Sequence, residues 1–172
     1  MIVKGFGIEL HLLSSDKIEL LREWRNSDFV QQFMQKKVVI SAEMQQDWFN
    51  SLDKRNNFYF LIRENNEFIG CCNIKNVDGG IGEGGVFVKG PEYLNSISVT
   101  KAIFLMYDWA FSNEFIISAK SEILSGNKRA IRFNKMIGFT VNEVGGIVQG
   151  SLIKSDFYIQ YDKFFKVLNL NE

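Results

Sequence analysis

The pattern of apolar and polar residues predicts one strand and two or three helices in the first third of the chain. Residues 2–13 have the pattern of a strand, and Ser14-Ser15-Asp16 then has the composition of a helix cap, with Glu19 in the first turn beyond it. A second cap is predicted at Ser41. The apolar face of the helix that follows this cap consists of Met44, Trp48, Phe49 and Leu52.

The middle of the chain is predicted to be a run of strands. Two apolar runs, 58–62 and 68–74, flank Asn65-Asn66, which is typical of the tight turn of a hairpin. A third strand is predicted from Ile81 to Val88, after a turn at Asp78-Gly79-Gly80. Glycines at 82, 84 and 85 weaken a strand, so they indicate either a bulge or the close approach of a ligand backbone.

Helical spacing returns at residue 98, beyond which apolar residues recur every three or four positions up to residue 113. A short helix is predicted from Asn127, with Gly138 placed to end it. The residues predicted to face inward on this short helix are Ala130, Ile131 and Met136. The remaining strands are predicted at Phe115–Leu124, Phe139–Val144 and Phe157–Tyr161, the last two joined through a turn at Gly145-Gly146.

These elements predict an α/β fold. The strand–helix–strand units after residue 81 require parallel pairing, whereas the hairpin at 58–74 requires antiparallel pairing. A mixed, mostly antiparallel central sheet of about seven strands, flanked by helices, is therefore expected. The length of 172 residues and the 46% of hydrophobic residues suit one domain that spans residues 1–172.

Charge and cysteine content narrow the possible partners. Twenty basic residues balance twenty acidic ones without a long block of either sign, so no nucleic-acid partner is expected. No run reaches the roughly 18 apolar residues of a membrane span, and residues 1–7 lack the pattern of a signal peptide. Cys71 and Cys72 are adjacent, have no metal-ligand spacing and indicate a reducing compartment. We therefore expect a cytoplasmic protein with no metal and no membrane partner.

The loop before the 98–113 helix is a candidate anion site. The predicted strand ending at Val88 leads through this loop into Asn95-Ser96-Ile97-Ser98-Val99-Thr100. The first turn of a helix exposes N–H groups at the positive end of the helix dipole, and both features favour a phosphate. Hydroxyls at 96, 98 and 100 add further donors. The alternative is an ordinary serine cap on a structural helix.

Two stretches together resemble the GNAT acetyltransferase family. Asn127-Lys128-Arg129-Ala130-Ile131 with Ile137-Gly138-Phe139 is similar to the Asn-x-x-Ala-Ile … Leu-Gly-Phe signature of that family. Residues 95–100 take the place of its pyrophosphate loop, and the order of elements also matches. The resemblance implies acetyl-CoA as cosubstrate and transfer to an amine. It implies these cofactor-binding residues: Val86, Phe87, Val88, Asn95, Ser96, Ser98, Val99, Thr100, Asn127 and Arg129.

The same resemblance assigns catalytic roles, with two departures from the family pattern. Glu83 matches a frequent position of the general base, although a carboxylate held by a neighbouring Lys or Arg is the alternative interpretation. The family often has a Tyr that protonates the leaving thiolate, and Asn134 stands there; its amide donates a hydrogen bond but no proton. Ser98 and Thr100 replace the two loop glycines, so their side chains are expected to crowd a pyrophosphate.

The front of the chain resembles one branch of the family. Residues 21–26, 33–34, 40–43 and 48–49 are similar to acetyltransferases of nucleotide-linked amino sugars, in a wider branch that includes ribosomal-protein N-terminal acetyltransferases. The partner implied is a small-molecule amine, and a homodimer is possible. Alternatives are an N-terminal or other small-molecule amine acetyltransferase, or a non-catalytic domain that binds acyl-CoA or a protein. The candidate substrate-binding residues are Arg22, Trp24, Arg25 and Met34, with core packing or solvated arginines as the alternative.

Overall fold

A computed structural model describes residues 1–34 and 37–169 of the chain. Within these residues the strands are β1 Ile2–Gly5, β2 Ile8–Leu12, β3 Phe58–Glu64, β4 Glu67–Asp78, β5 Ile81–Val88, β6 Ser118–Leu124, β7 Thr140–Val144 and β8 Ile147–Ile153. The α-helices are α1 Ile18–Asn26, α2 Asp28–Gln31, α3 Ala42–Ser51, α4 Ile97–Ser112, α5 Lys128–Ile137 and α6 Lys154–Asn169. The prediction of an α/β fold is confirmed.

The sheet has eight strands within the described residues, one more than expected, in the order β1-β2-β3-β4-β5-β6-β8-β7. Pairing is antiparallel between β1 and β2, β2 and β3, β3 and β4, β6 and β8, and β7 and β8. The β5–β6 pair is parallel, as the crossover through α4 requires, and its register ends at Glu83↔Lys120. The expected mixed, mostly antiparallel sheet is therefore confirmed.

Two-residue turns connect four pairs of successive strands. The turn residues are Phe6-Gly7, Asn65-Asn66, Gly79-Gly80 and Gly145-Gly146, and all eight have positive φ between 47° and 82°. Positive φ at both positions is what type I′ hairpin turns require, and Gly and Asn adopt it at low cost. Phe6 is the unusual member, since a bulky residue seldom has φ of 58°. The prediction of one strand over residues 2–13 was therefore wrong, because this turn divides it into β1 and β2.

The end of the chain also differs from its prediction. Phe157–Tyr161 is not a strand but part of α6, and the last strand is β8, which alternates buried and exposed residues directly after the Gly145-Gly146 turn. Aromatic residues favour strands, which explains the error. Their spacing is helical, however: Phe157, Tyr161 and Phe165 recur every four positions, and the ring centroids of successive pairs lie 5.6 and 4.4 Å apart.

The chain divides into two compact units, the first made of Met1–Asn76 with Gly85–Met106 and the second of Val77–Gly84 with Tyr107–Glu172. In the first unit, α1 and α3 bury apolar side chains on one cluster with β3 and β4. Its buried members are Leu13, Ile18, Leu21, Phe49, Leu61 and Cys71.

Ser41 caps α3 as predicted, since its Oγ accepts a hydrogen bond from the Met44 N–H at 3.1 Å. Met44, on the predicted apolar face of this helix, is 49% exposed.

The second unit has an aromatic core. Tyr107, Phe111, Phe139 and Phe157 are buried, with Phe111 and Phe157 ring centroids 5.4 Å apart. Asn127 caps α5 as predicted and Gly138 ends it with φ of 113°, which favours glycine. Met136 is 43% exposed, so it does not face inward as predicted. Ile137 takes that place and is buried.

Glycine 84 is required by packing within the second unit. A Cβ built at this position would overlap the hydroxyl of Tyr107 on α4. The group that approaches Gly84 closely is thus a side chain of this chain, whereas the approach of a ligand backbone to the β5 glycines stays a prediction. No helix within the described ranges is both long and apolar enough to cross a bilayer.

We expect Gly84→Ala to lower the free energy of unfolding by about 1–3 kcal/mol, because the added methyl must displace the Tyr107 side chain. Urea denaturation measures the change. Gly126→Ala is the matched control, since a Cβ there meets no heavy atom within 4 Å. Equal destabilisation by the two substitutions would contradict the packing argument.

Candidate active site

Glu83 lies on β5 beside a lysine of the neighbouring strand. Its Oε1 is 3.3 Å from the Lys120 Nζ, and the side chains of Glu83 and Lys120 are 31% and 55% exposed. Their Cα atoms are partners in the last residue pair of the parallel β5–β6 register. The structure therefore shows a half-buried, ion-paired carboxylate at this position. The pairing fits the structural interpretation, and the exposed fraction also leaves the carboxylate within reach of a small molecule.

The first turn of α4 has a buried side chain where the family has a glycine. Ser98 is 3% exposed, and its hydroxyl donates a hydrogen bond of 2.6 Å to Oε1 of Glu64 on β3. Ser98 therefore faces the interior of the first unit. The expected crowding of a pyrophosphate by this side chain does not follow from its position.

The first turn of α4 has N–H donors that the helix itself does not use. The first N–H groups of any α-helix have no partner within the helix, and in α4, which follows Ser96, they belong to residues 97–99. One of them is used by the loop itself, since Ser96 Oγ accepts from the Ser98 N–H at 3.1 Å. Asn95 is exposed, Ser96 and Thr100 are half-buried, and Val99 is buried at 7%. Of these first N–H groups, those of Ile97 and Val99 are therefore left for an acceptor outside the helix, and the buried Val99 side chain serves packing.

The three predicted residues of β5 differ in exposure. Val86 is 36% exposed, Val88 is 5% exposed, and Phe87 is half-buried against the cluster of the first unit. Their contribution to a thioester site would therefore come from backbone N–H groups rather than from side chains.

The predicted residues of α5 are engaged in shaping that helix. Asn127 Oδ1 accepts from the Ala130 N–H at 3.1 Å, which is an N-cap. Asn134 is half-buried, and its Nδ2 donates to the Ala130 carbonyl at 3.0 Å, one turn earlier. Since a primary amide carries two N–H groups, the second N–H of Asn134 can still donate. Arg129 is exposed on the same helix.

A cavity of about 290 Å³ lies in the first unit, between α1, α2, α3 and the segment before α3. The structure brings two of the predicted substrate-binding residues, Arg25 and Met34, to its wall. Sequence reasoning missed six others. They are Gln31, Val38, Ile40, Met44, Gln45 and Trp48. The spacing of four between Met44 and Trp48 signals a shared helix face, which the sequence analysis assigned to the core.

The two arginines of α1 have different environments. Arg22 is held by Glu19, whose carboxylate accepts hydrogen bonds from Nε at 2.9 Å and from Nη2 at 2.5 Å. This pairing raises the pKa of Arg22 and lowers that of Glu19. Arg22 also donates to the Ile40 carbonyl at 2.9 Å, so its charge is paired and all three of its nitrogens are engaged in hydrogen bonds. Arg25 is half-buried and forms no ion pair with a carboxylate of the described ranges, which leaves its charge available to a ligand.

The other predicted substrate residue, Trp24, packs partly buried against the cluster of the first unit. No group of three or more His, Cys, Asp or Glu side chains that could hold a metal occurs among the residues with a described structure.

Solved structures of similar fold define the class of protein. The aminoglycoside acetyltransferase AAC(6')-Ib in complex with coenzyme A has a TM-score of 0.75 at 16% identity, covering 88% of this chain and 97% of that one. Spermidine N-acetyltransferase from Vibrio cholerae, in complex with CoA and spermine, has a TM-score of 0.78 at 11% identity, covering 88% and 98%. The ribosomal alpha-N-protein acetyltransferase RimL has a TM-score of 0.75 at 12% identity, covering 89% and 98%. The fold is therefore that of the GNAT acetyltransferases.

Sequence comparison shows the family. The profile described as Acetyltransferase (GNAT) domain matches residues 8–140, so the chain belongs to the GNAT acetyltransferase family and is an acyltransferase. Acetyltransferase PseH of Campylobacter jejuni is 25% identical over 129 residues, which are 75% of this chain and 80% of that relative. These matches agree with the resemblance of the front of the chain to the sugar-nucleotide and ribosomal-protein branch.

We expect Ser98→Ala to lower the free energy of unfolding by about 1–3 kcal/mol, because it removes the hydroxyl that donates to the Glu64 carboxylate. CoA affinity should change by less than about twofold, since that hydroxyl is bonded away from the loop. Urea denaturation and calorimetry with CoA measure the two effects. Ser151→Ala, an exposed position on β8, is the control. A large loss of CoA affinity at unchanged stability would place the Ser98 hydroxyl on the phosphates instead.

Proposed function

We propose that the chain transfers the acetyl group of acetyl-CoA to the primary amine of a nucleotide-linked amino sugar, by direct attack in a ternary complex. The observation that carries the choice of acceptor is the lining of the first-unit cavity, which has one basic residue, Arg25, and no acidic one among the residues described. The cytoplasmic location and the homodimer stay predictions of the sequence.

The cavity lining favours an anionic acceptor. A cationic acceptor such as spermine, which the Vibrio cholerae enzyme binds, would meet the like charge of Arg25 without a compensating carboxylate. A diphosphate would instead supply the counter-charge, and guanidinium forks suit phosphate oxygens. Trp48, Met34, Met44 and Ile40 offer apolar surface beside this charge, which suits the carbon face of a ring. An anionic group next to a ring is the chemistry of a sugar nucleotide.

The cosubstrate site is proposed at the loop and first turn of α4. The N–H groups of Ile97 and Val99, the Thr100 hydroxyl and the helix dipole would bind the diphosphate of acetyl-CoA. Asn95 and Ser96 on the loop and Arg129 on α5 are proposed as further polar contacts of the cosubstrate. Asn127 is proposed to act indirectly, by fixing the start of α5.

Each step of the proposed reaction has a group of this chain assigned to it. Glu83 accepts the proton of the substrate ammonium, directly or through water, because nitrogen needs a free lone pair to attack. Backbone N–H groups of residues 86–88 donate hydrogen bonds to the carbonyl oxygen as negative charge develops on it. The carbon–nitrogen bond forms, the nitrogen gives its second proton to water, and the carbon–sulfur bond breaks. The second N–H of Asn134 donates to the departing sulfur, and water supplies the proton that an amide cannot release.

We expect Glu83→Gln to lower kcat about 10²-fold or more, because an amide cannot accept the substrate proton. CoA affinity should stay within about twofold, since the base does not bind the cosubstrate. Thiol release with an amino-sugar nucleotide measures turnover. Glu122→Gln, an exposed carboxylate on the neighbouring strand β6, is the control. Full activity of Glu83→Gln would contradict a role of the carboxylate as base and favour a structural role, such as its ion pair with Lys120.

We expect Arg25→Ala to raise the KM for the acceptor about 10- to 100-fold, because a charge-assisted hydrogen bond to phosphate is lost. The KM for acetyl-CoA should not change. Arg55→Ala is the control, since that guanidinium is 88% exposed and bound to Asp53. The assay compares a uridine-diphosphate-linked amino sugar with spermine and with a peptide amine. Faster turnover of spermine or the peptide would favour the alternative acceptors.

A further inference from the structure

Gln45 of α3 is buried with an unsatisfied amide. The residue is 1% exposed, and neither its Nε2 nor its Oε1 has a hydrogen-bond partner among the residues described. Buried amides in folded proteins nearly always have partners, because a lost hydrogen bond to water must be replaced. An exception of this kind needs a physical explanation.

The position of Gln45 supplies that explanation. Gln45 is part of the wall of the first-unit cavity, together with Arg25 and Trp48. Its neighbour Gln46 faces the other way: it is exposed, and its Nε2 donates to Asn50 Oδ1 at 3.0 Å. The chain thus carries two adjacent glutamines on one helix, of which the exposed one is satisfied and the buried one, at the cavity, is not.

An unsatisfied amide at a cavity destabilises the free protein and favours a ligand that can pair with it. The carboxamide has two N–H donors and one carbonyl acceptor on the same planar group. A ligand group that also donates and accepts would satisfy both sides, whereas an apolar group would leave both unpaired. Sites of this kind reject analogues that lack the matching polar group more strongly than apolar pockets reject a change in size.

We propose that Gln45 determines acceptor specificity in this cavity by hydrogen-bonding a neutral group that both donates and accepts. This inference rests on the proposed function, since it assigns the cavity to the acceptor. The volume of about 290 Å³ suits one ring system rather than a whole sugar nucleotide. Two parts of such an acceptor have the required chemistry: the imide edge of a pyrimidine base, and the acetamido or hydroxyl groups of the sugar.

The first test is stability without ligand. Gln45→Leu keeps the approximate size of the side chain and removes the unsatisfied amide, so it should raise Tm by about 2–4 °C. Gln46→Leu, the matched control, should leave Tm within about 1 °C because that position is exposed. A fall in Tm for Gln45→Leu would show that the amide serves the fold, and would overturn the proposal.

The second test is binding of defined probes by calorimetry. Uridine diphosphate carries the imide, and N-acetylglucosamine 1-phosphate carries the acetamido group and hydroxyls. The wild-type protein should bind one of them, and Gln45→Leu should weaken that binding about tenfold or more while Gln46→Leu leaves it unchanged. The preferred probe identifies which part of the acceptor contacts Gln45. Equal affinity of wild type and Gln45→Leu, or no binding of either probe by wild type, would overturn the inference.

Turnover separates this inference from the proposed function. Wild-type protein that binds a probe through Gln45 but acetylates no amino-sugar nucleotide would contradict the proposed acceptor and leave the assignment of Gln45 intact. Conversely, turnover of an amino-sugar nucleotide with the same KM in wild type and Gln45→Leu would support the proposed function and contradict the inference.

Discussion

The hydrogen bond from the Ser98 hydroxyl to the Glu64 carboxylate fixes the direction of the Ser98 side chain, and the fit of a diphosphate to the proposed cosubstrate site requires that this side chain point away from the loop. It links the first turn of α4 to β3 within the first unit and turns a side chain inward at a position where the family has no side chain at all. A serine whose hydroxyl faced the loop would compete with a phosphate for space. The Ser98 hydroxyl is instead hydrogen-bonded to the half-buried Glu64 carboxylate and does not cover the N–H groups of the turn. A serine at the position of the family's glycine is therefore compatible with the proposed site.

The strands and their turns could largely be predicted from the sequence, because hairpin turns depend on local chemistry. Positive φ could be predicted at Asn65-Asn66, Gly79-Gly80 and Gly145-Gly146 because Asn and Gly adopt it more readily than other residues. Phe6 gives no such signal, and its turn was missed, since only the surrounding pairing of β1 with β2 forces that backbone conformation. In α6, the aromatic residue types favour a strand, whereas their spacing of four favours a helix. The structure has a helix there, with Phe157 fully buried in the second unit.

The candidate site was predictable in part. Arg25 and Met34 could be proposed from family resemblance, and both reach the cavity wall. Gln45 could not, because a polar residue on an amphipathic helix is assigned to solvent by pattern, and its burial depends on long-range packing. Arg22 is a different case: Glu19 stands three residues before it on α1, so their ion pair could have been anticipated from the sequence, whereas no carboxylate stands three or four residues before Arg25.

The two-residue turns have a consequence for the order in which the chain folds. They make four strand pairs local in sequence, so each of those pairs can form after closing a very short loop. The β2–β3, β5–β6 and β6–β8 pairs must instead close loops that contain helices. Non-local pairing is slow because chain entropy is lost before contacts compensate for it. The β5–β6 pair, whose parallel register ends at Glu83, is therefore expected to form after the hairpins.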